Sequence, residues 1–178
     1  MLLKRRHGIF VMEESKLRDL VSRASDMGFC VNSRMFVHGL CVVSCLSKET
    51  FERKLELFRS FGFTKQEAME MFQKQPTLFN KSEEQLKLSL DFFLNKVELR
   101  KESLIRGPRC LSHSLEDRVI PRYKVMQILK SKRLLKKKRP SFVTMLSYSN
   151  EEFLERYVAR FTDDAEELLM AYNGHFIC

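Results

Sequence analysis

Apolar residues recur three and four positions apart along most of the chain, which is the spacing of one face of an α-helix. Phe51, Leu55 and Phe58 form one such stripe, and Leu86 and Leu90 belong to another. No segment of useful length alternates apolar and polar residues with period two, as a half-buried β-strand would. The pattern therefore predicts an all-α protein. The predicted helices span residues 15–28, 33–45, 48–61, 65–75, 83–95, 98–106, 115–137, 141–147, 150–161 and 164–172.

Short polar motifs mark where several of these helices begin. Residues 64–67 read Thr-Lys-Gln-Glu, residues 82–85 Ser-Glu-Glu-Gln and residues 149–152 Ser-Asn-Glu-Glu. Each places a hydroxyl at the helix N-cap and a carboxylate or amide three residues later, so that both side chains satisfy free backbone N–H groups. Residues 114–117, Ser-Leu-Glu-Asp, are a weaker version of this capping box.

Three prolines divide the chain at a regular interval. Pro76, Pro108 and Pro140 stand 32 residues apart, and a serine that opens a helix, Ser82 or Ser114, stands six residues beyond each of the first two. Proline lacks a backbone donor and clashes with the preceding turn, so each should end a helix. Such a period is typical of stacked helical units that share a core only with their neighbours.

A second marker recurs at nearly the same interval, because Gly-Phe dipeptides at residues 28–29 and 62–63 stand 34 residues apart. Together the two markers predict one helical-repeat domain, residues 1–172, followed by a tail, residues 173–178. The predicted repeat units span residues 17–58, 59–95, 96–129 and 130–172.

The chain has 178 residues and a formal net charge of +9, and the excess lies in one segment. Residues 1–95 carry 15 Lys and Arg against 12 Asp and Glu, residues 96–139 carry 15 against 4, and residues 140–178 carry 2 against 7. We call residues 96–139 the basic segment. Binding to a polyanion requires local positive charge of this kind.

The basic segment contains the candidate nucleic-acid contacts. Its most concentrated part is residues 130–139, KSKRLLKKKR, with seven cations in ten residues. If a helix continues through this run, Lys130, Arg133 and Lys137 share one stripe, and like charges four residues apart cost about 0.2–0.5 kcal/mol per pair. A bound polyanion would relieve that repulsion. The candidate nucleic-acid-binding residues are Arg106, Arg109, Arg118, Arg122, Lys124, Lys130, Lys132, Arg133, Lys136, Lys137, Lys138 and Arg139.

Two other interpretations of the basic run stay open. Cations at a helix C-terminus also suit the helix dipole, and a nuclear-localisation signal has the same composition.

The 15 phenylalanines offer aromatic surface for stacking on bases. Since most of them fall on the apolar stripes, they are predicted to pack in the core instead.

The sequence shows no enzyme motif, metal site or cofactor site. It lacks a Gly-rich phosphate loop, an HExxH motif and a nucleophile elbow, and its four histidines are scattered. His38, Cys41 and Cys45 would share a helix face, but a closed zinc site needs a fourth ligand. The five cysteines, an odd number, are expected to be reduced thiols. We therefore predict no catalysis, no metal and no cofactor.

Neither a membrane span nor a targeting segment is evident. No uninterrupted apolar run reaches the length of about 18 residues that a membrane helix requires. The N-terminal residues MLLKRRHGIFVMEESKL reach Glu13 and Glu14 too soon for an acid-free transit peptide. We expect no membrane association, and either no targeting segment or a chain that begins inside a longer parent protein.

The repeat unit resembles that of the mitochondrial transcription termination factor (mTERF) family. In the family, as here, a Gly-Phe pair, a first helix, a Pro-x-Leu/Phe junction and a Ser-capped second helix follow in order. Residues 33–79, SRMFVHGLCVVSCLSKETFERKLELFRSFGFTKQEAMEMFQKQPTLF, are similar to the plant branch of the family. Residues 128–161, ILKSKRLLKKKRPSFVTMLSYSNEEFLERYVARF, are similar to that branch's C-terminal repeat. The likeness covers roughly residues 5–170 and resembles an N-terminally shortened member.

The resemblance implies a left-handed α-solenoid bent into a curved half-ring with a basic concave face. It implies binding to double-stranded DNA, or in some members RNA, in the control of organellar transcription or intron processing. A monomer in a mitochondrion or chloroplast is expected, with possible protein partners from the transcription or splicing machinery. Two alternatives stay open: an RNA-binding factor for intron splicing, and a protein–protein scaffold whose lysines serve targeting or solubility.

Overall fold

The structure, a computed structural model, describes residues 12–135 and 141–174. Within these ranges it contains helices and turns and no β-strand, which confirms the all-α prediction. The chain divides into two compact units, residues 1–112 and residues 113–178, which we call unit 1 and unit 2. The boundaries of the four sequence repeats stay a prediction.

Unit 1 consists of short helices joined by tight turns. Its α-helices in the described range are α1 (Glu14–Asp26), α2 (Phe36–Val43), α3 (Lys48–Ser60), α4 (Lys65–Lys74), α5 (Glu83–Asp91) and α6 (Lys101–Arg106). A π-helical turn, Phe92–Lys96, continues α5. Pro76 and Pro108 end the preceding helices as predicted, and each also opens a 3₁₀ turn, Pro76–Asn80 and Pro108–Ser112. Proline suits the first position of a helical turn because its fixed φ is helical and the missing N–H has no partner there.

Unit 2 begins with a π-helical turn, Leu115–Val119, that leads directly into a long helix. Its α-helices in the described range are α7 (Ile120–Ser131), α8 (Phe142–Ser147), α9 (Asn150–Leu154) and α10 (Ala165–Asn173). A π-helical turn, Glu155–Ala159, follows α9, and a 3₁₀ turn, Thr162–Asp164, precedes α10. The predicted helix over residues 115–137 was too long, because α7 ends at Ser131.

The predicted capping boxes are present. The Thr64 hydroxyl accepts the N–H of Glu67 at 3.1 Å, and the Glu67 carboxylate accepts the N–H of Thr64 at 2.7 Å. Residues 82–85 and 149–152 repeat this reciprocal pair. In residues 114–117 the serine hydroxyl accepts the backbone N–H and donates to the aspartate carboxylate. These caps begin α4, α5, α9 and the helix that becomes α7.

Among the described residues, and apart from Gly174 at the end of α10, four helices end with a residue in the left-handed conformation followed by an apolar residue. The left-handed residues are Gly28, Gly62, Glu98 and Arg133, with φ of 84°, 79°, 56° and 57°. They stand 34 to 36 residues apart. The first two belong to the Gly-Phe dipeptides, so the predicted repeat marker is a helix-ending motif in which the reversed chain satisfies the last carbonyls. At the other two positions the same backbone conformation occurs without glycine.

A cluster of phenylalanine rings forms the core of unit 1, as predicted. The rings of Phe72 and Phe79 are closest, with centroids 4.5 Å apart, and Phe51 contacts both. Phe58 stacks on Phe79 at 5.8 Å. All four side chains are buried, so the turn opened by Pro76 is fixed by packing Phe79 against rings from α3 and α4.

The core of unit 2 lies between α7, α9 and α10. Val125 and Leu129 of α7, Phe153 of α9 and Leu168 of α10 are completely buried. The Phe153 ring stacks on Tyr172 with a centroid distance of 5.6 Å. This packing fixes the loop between α8 and α9 beside α7, where two arginines of the basic segment lie.

Candidate nucleic-acid interface

In unit 1 the basic segment presents two candidate arginines at the junction after α6. Arg106 ends α6, Arg109 lies in the following 3₁₀ turn, and both are exposed. The Arg106 Nε donates to the carbonyl of Glu102 in its own helix at 3.3 Å, which leaves the outer guanidinium nitrogens available. Arg109 has no hydrogen-bond or ion-pair partner within the described ranges. Both can meet a phosphate without breaking an existing ion pair.

In unit 2 two further candidates flank the end of α7. Lys130 and Arg133 are exposed, and neither side chain has a bonding partner among residues 12–135 and 141–174. Arg133 holds φ at 57°, and its N–H donates to the Lys130 carbonyl at 3.1 Å. Left-handed backbone is costly for any residue with a Cβ, so Arg133 occupies a position that glycine would fill without strain.

The end of α7 changes the expected arrangement of the basic run. The predicted stripe of Lys130, Arg133 and Lys137 requires a helix through residue 137, and the helix stops at Ser131. The Leu134 N–H donates to the Leu129 carbonyl at 2.9 Å, which closes the helix end. Lys136, Lys137, Lys138 and Arg139 lie outside the described residues.

Lys132 is paired with carboxylates instead of standing free. Its Nζ lies 2.6 Å from Asp164 Oδ1, and it also contacts the Glu167 carboxylate. Hydrogen bonds to Asp164 and then to Glu167 raise the pKa of Lys132. The side chain remains 38% exposed, so the pairs tie the end of α7 to the start of α10 on the surface. Lys132 would have to leave these carboxylates to bind a phosphate.

Arg118 is half-buried and points toward the loop between α8 and α9. Its Nε and Nη2 donate to the Leu146 carbonyl at 3.2 and 3.0 Å, and Nη2 also donates to the Tyr148 carbonyl. Its Nη1 lies 3.4 Å from the Asn150 side-chain oxygen. Most of its donors are therefore used inside unit 2.

Arg122 is completely buried, with 0% exposure, and has no surface to offer a phosphate. Its Nη1 donates to the Met145 and Tyr148 carbonyls, both at 2.8 Å. Its Nη2 donates to the Ser149 carbonyl at 3.0 Å and to the Asn150 side chain at 2.9 Å. Burial, and then the charge of Arg118, lower the pKa of Arg122. The expectation that Arg122 contacts nucleic acid does not fit this position.

Lys124, the remaining candidate, is half-buried in α7. The structure therefore divides the predicted set by environment. Arg118 and Arg122 meet at one loop, and Lys132 lies within an ion-pair network. The exposed candidates without carboxylate partners in the described ranges are Arg106, Arg109, Lys130 and Arg133.

Sequence reasoning missed a buried cation in unit 1. Lys54 of α3 is 4% exposed, and its Nζ donates to the carbonyls of Phe79 and Lys81, the latter at 2.7 Å. Burial lowers the pKa of Lys54. No signal in the sequence points to it, because its partners are main-chain oxygens 25 and 27 residues away.

Sequence reasoning also missed a pair of arginines after α9. Arg156 and Arg160 are exposed and line one open depression together with Glu155 and Ala159. They are the only cations of residues 140–178, a segment with an acidic net charge. The net negative charge of residues 140–178 therefore gave no indication of a local pair of arginines.

The described ranges contain no group of three or more His, Cys, Asp and Glu side chains that is arranged to hold a metal ion. In these ranges no helix has both the length and the apolar character to cross a membrane. Cys110 is buried, and burial raises the pKa of its thiol to about 12, so the thiol stays protonated at neutral pH.

Comparison with known proteins gives one positive result. The family model described as mTERF matches residues 5–154, which is most of the chain. No curated protein gives a significant match, and no solved structure does. The matched range includes α1 to α9 and every candidate residue of the basic segment.

Proposed function

Because the chain belongs to the mTERF family of helical-repeat proteins, we propose that it binds double-stranded DNA and regulates transcription in an organelle. Members of the family are nucleic-acid-binding regulators of organellar transcription or RNA, and they are generally not enzymes. Family membership supports nucleic-acid binding. The choice of duplex DNA rests on the closer resemblance drawn from the repeat motifs.

The observation that carries the proposal is the distribution of unpaired cations. Arg106, Arg109, Lys130 and Arg133 are exposed, and no carboxylate within the described ranges pairs with them. Positive charge that the protein leaves uncompensated is available to displace the counterions of a phosphate backbone. Side chains of this type fix the position of a protein on a duplex without reading its sequence.

The rest of unit 1 compensates its positive charge more fully, because residues 1–95 carry 12 Asp and Glu against 15 Lys and Arg. Outside the basic segment many surface cations have an acidic partner nearby. The ion pairs there are Lys16–Glu13, Arg18–Glu14, Arg53–Glu83, Arg59–Glu56 and Lys74–Glu70. A mixture of paired positive and negative charges is sufficient to keep a surface solvated. The excess positive charge of the basic segment favours binding of an external anion.

The proposed contacts fall in each unit separately: Arg106 and Arg109 in unit 1, and Lys130, Arg133 and the run that follows α7 in unit 2. Arg118 and Lys124, which are half-buried, are secondary contacts. Lys132 would contribute only after release from Asp164, and Arg122 is left out. The residues of the proposed interface are Arg106, Arg109, Lys130, Arg133, Lys136, Lys137, Lys138 and Arg139.

Fluorescence anisotropy with labelled duplex DNA tests the proposal over a salt titration. Neutralising six or more phosphates should lower affinity about a thousandfold between 50 and 200 mM salt. Replacing residues 136–139 by glutamate should abolish most of this binding. A matched control replaces four exposed cations outside the basic segment, Arg34, Lys48, Lys65 and Lys87, by glutamate and should retain more of it. Equal losses in both variants, or a flat salt response, would contradict the proposal.

Competition distinguishes the target from the alternatives. Unlabelled duplex DNA should displace the probe at lower concentration than single-stranded or structured RNA of equal length. Preferential displacement by RNA would assign the same surface to RNA processing. Binding of neither nucleic acid, together with a protein partner that tolerates the glutamate variant, would identify a scaffold.

A further inference from the structure

Unit 2 contains a small exposed depression on the turn that follows α9. It has a volume of about 530 Å³ and is lined by Glu155, Arg156, Ala159 and Arg160. The lining comes from the π-helical turn Glu155–Ala159 and the residue after it. Single π-helical turns occur often at functional sites, because the widened turn redirects side chains.

The two arginines of this depression lack acidic partners. Arg156 and Arg160 are exposed, and neither forms an ion pair with any residue of the described ranges. Glu152 caps α9, and Asp164 and Glu167 hold Lys132, whereas Glu155 lines the depression without pairing with either arginine. Two like charges one turn apart repel each other, and an anion between them would remove the repulsion.

Arg156 is held in place by stacking. Its guanidinium carbon lies 4.8 Å from the centre of the Tyr148 ring. The Tyr148 carbonyl in turn accepts hydrogen bonds from Arg118 and Arg122, so the main chain beneath the ring is fixed. A stacked guanidinium keeps its in-plane N–H groups free, which is the arrangement that binds phosphate in a bidentate manner with little loss of side-chain freedom.

We propose that Arg156 and Arg160 form a phosphate-binding site in unit 2, and that its ligand is a phosphate group of the bound nucleic acid. The inference rests on the proposed function and adds a contact from a segment with an acidic net charge. Glu155 lines the same depression, and its carboxylate opposes an anion there. Glu155 therefore weakens phosphate binding at this site, and replacing it should strengthen binding, which is opposite to the effect of replacing the arginines.

The first test measures the salt dependence of duplex binding by the full chain. Each phosphate contact contributes about 0.9 to the slope of log affinity against log salt, so R156Q/R160Q should lower the slope by about 2. A control removes two exposed cations of unit 1, as K48Q/K65Q, and should leave the slope unchanged. E155Q should bind about two- to fivefold more tightly, since exposed charge pairs have that strength. An unchanged slope in R156Q/R160Q would overturn nucleic-acid phosphate as the ligand of this site and leave the proposed function standing.

The second test distinguishes nucleic-acid phosphate from a free phosphate compound. Inorganic pyrophosphate is added to the wild type while tyrosine fluorescence is followed, because Tyr148 lies under Arg156. A change that R156Q/R160Q abolishes supports a phosphate site even if duplex DNA does not bind and the proposed function fails. Absence of both the pyrophosphate response and a slope change overturns the site. Since both arginines are exposed, circular dichroism should show that the variant retains the wild-type helix content.

Discussion

A buried cation closes the turn before a capped helix in each unit, but the two units use different residues. In unit 1, Lys54 donates to the carbonyl of Lys81, which directly precedes the Ser82 cap of α5. In unit 2, Arg122 donates to the carbonyl of Tyr148, which directly precedes the Ser149 cap of α9. Each cation lies on the second helix before the capped one, Lys54 on α3 and Arg122 on α7, and the same acceptor position is satisfied.

The two positions correspond in register as well. Lys54 stands seven residues after its own helix cap, Ser47, whereas Arg122 stands eight after Ser114. The π-helical turn Leu115–Val119 accounts for the extra residue, because it inserts one residue without adding a full turn. The equivalent position of α5 is Ser89, which is buried and accepts from Lys81 Nζ at 3.2 Å. The position therefore carries a polar side chain in α3, α5 and α7, and a cation in the two helices where it reaches main-chain carbonyls.

The difference between lysine and arginine shows how much each turn depends on one side chain. Lys54 is a point charge that meets two carbonyls. Arg122 uses four N–H groups on three carbonyls and the Asn150 side chain, and its guanidinium lies 4.6 Å from the centre of the Phe153 ring. Its Nε has no acceptor within the described ranges. The planar guanidinium of arginine can donate to several carbonyls of a loop at once, whereas the ammonium group of Lys54 reaches only two.

The largest effect is expected from replacing Arg122 by methionine. The substitution removes a buried charge and leaves the Met145, Tyr148 and Ser149 carbonyls without these donors, so unit 2 should lose about 3–5 kcal/mol of unfolding free energy. Urea unfolding followed by tyrosine fluorescence measures this, since the chain has no Trp and all four Tyr lie in residues 113–178. R122K should lose less, because it keeps the charge. A loss below about 1 kcal/mol in R122M would show that the loop does not depend on these bonds.

A smaller effect is expected from replacing Lys54 by methionine. Two main-chain acceptors lose their donor, which costs about 1–3 kcal/mol. The change should be local, so hydrogen exchange measured by mass spectrometry should accelerate in peptides covering residues 76–86. K48M, at an exposed position of the same helix, provides the control and should leave exchange unchanged. Unaltered exchange in K54M would mean that phenylalanine packing alone fixes the turn.

The parts of the fold that were predictable depend on short-range chemistry. A capping box joins residues three positions apart, so the helix starts at 64–67 and 82–85 could be recognised from the sequence. Glycine is the usual residue at a left-handed helix end, so Gly62 could serve as a marker of the repeat. The family resemblance rested on the same local motifs, and the family match confirms it. Stripes of phenylalanine likewise report burial directly.

The parts that were not predictable depend on long-range partners. Arg122 reads as one cation of a basic segment, and only folding brings it against carbonyls 23 to 27 residues away. Main-chain acceptors leave no trace in a sequence. The end of α7 was also missed, because the residue at its left-handed position is Arg133, whereas a glycine there would have marked a helix end. A set of candidate binding residues chosen by charge alone therefore includes arginines whose side chains stabilise the fold.

The same helix end thus occurs with glycine in unit 1 and arginine in unit 2. Phe63 N–H donates to the Phe58 carbonyl at 3.1 Å, as Leu134 N–H donates to that of Leu129 at 2.9 Å. Gly62 at φ 79° has no side-chain penalty, so G62A should destabilise the helix end by about 1–2 kcal/mol. The Lys101 ammonium, 2.5 Å from the added Cβ, would also have to move and would weaken its hydrogen bond to the Gly62 carbonyl. This variant calibrates the strain for the opposite change in unit 2.

Replacing Arg133 by glycine should have the smallest effect on stability and the opposite sign. Relief of left-handed strain, offset by the greater freedom of glycine in the unfolded chain, should stabilise unit 2 by about 0.5–1 kcal/mol. Duplex affinity should fall at the same time, because an exposed cation of the proposed interface is lost, and the salt slope should decrease by about 0.9. Tyrosine-monitored unfolding and anisotropy measure the two quantities on one sample. A gain in stability with unchanged binding would indicate that Arg133 is only a surface residue. A gain in stability together with a loss of duplex affinity would indicate that the helix end tolerates backbone strain because Arg133 contacts phosphate.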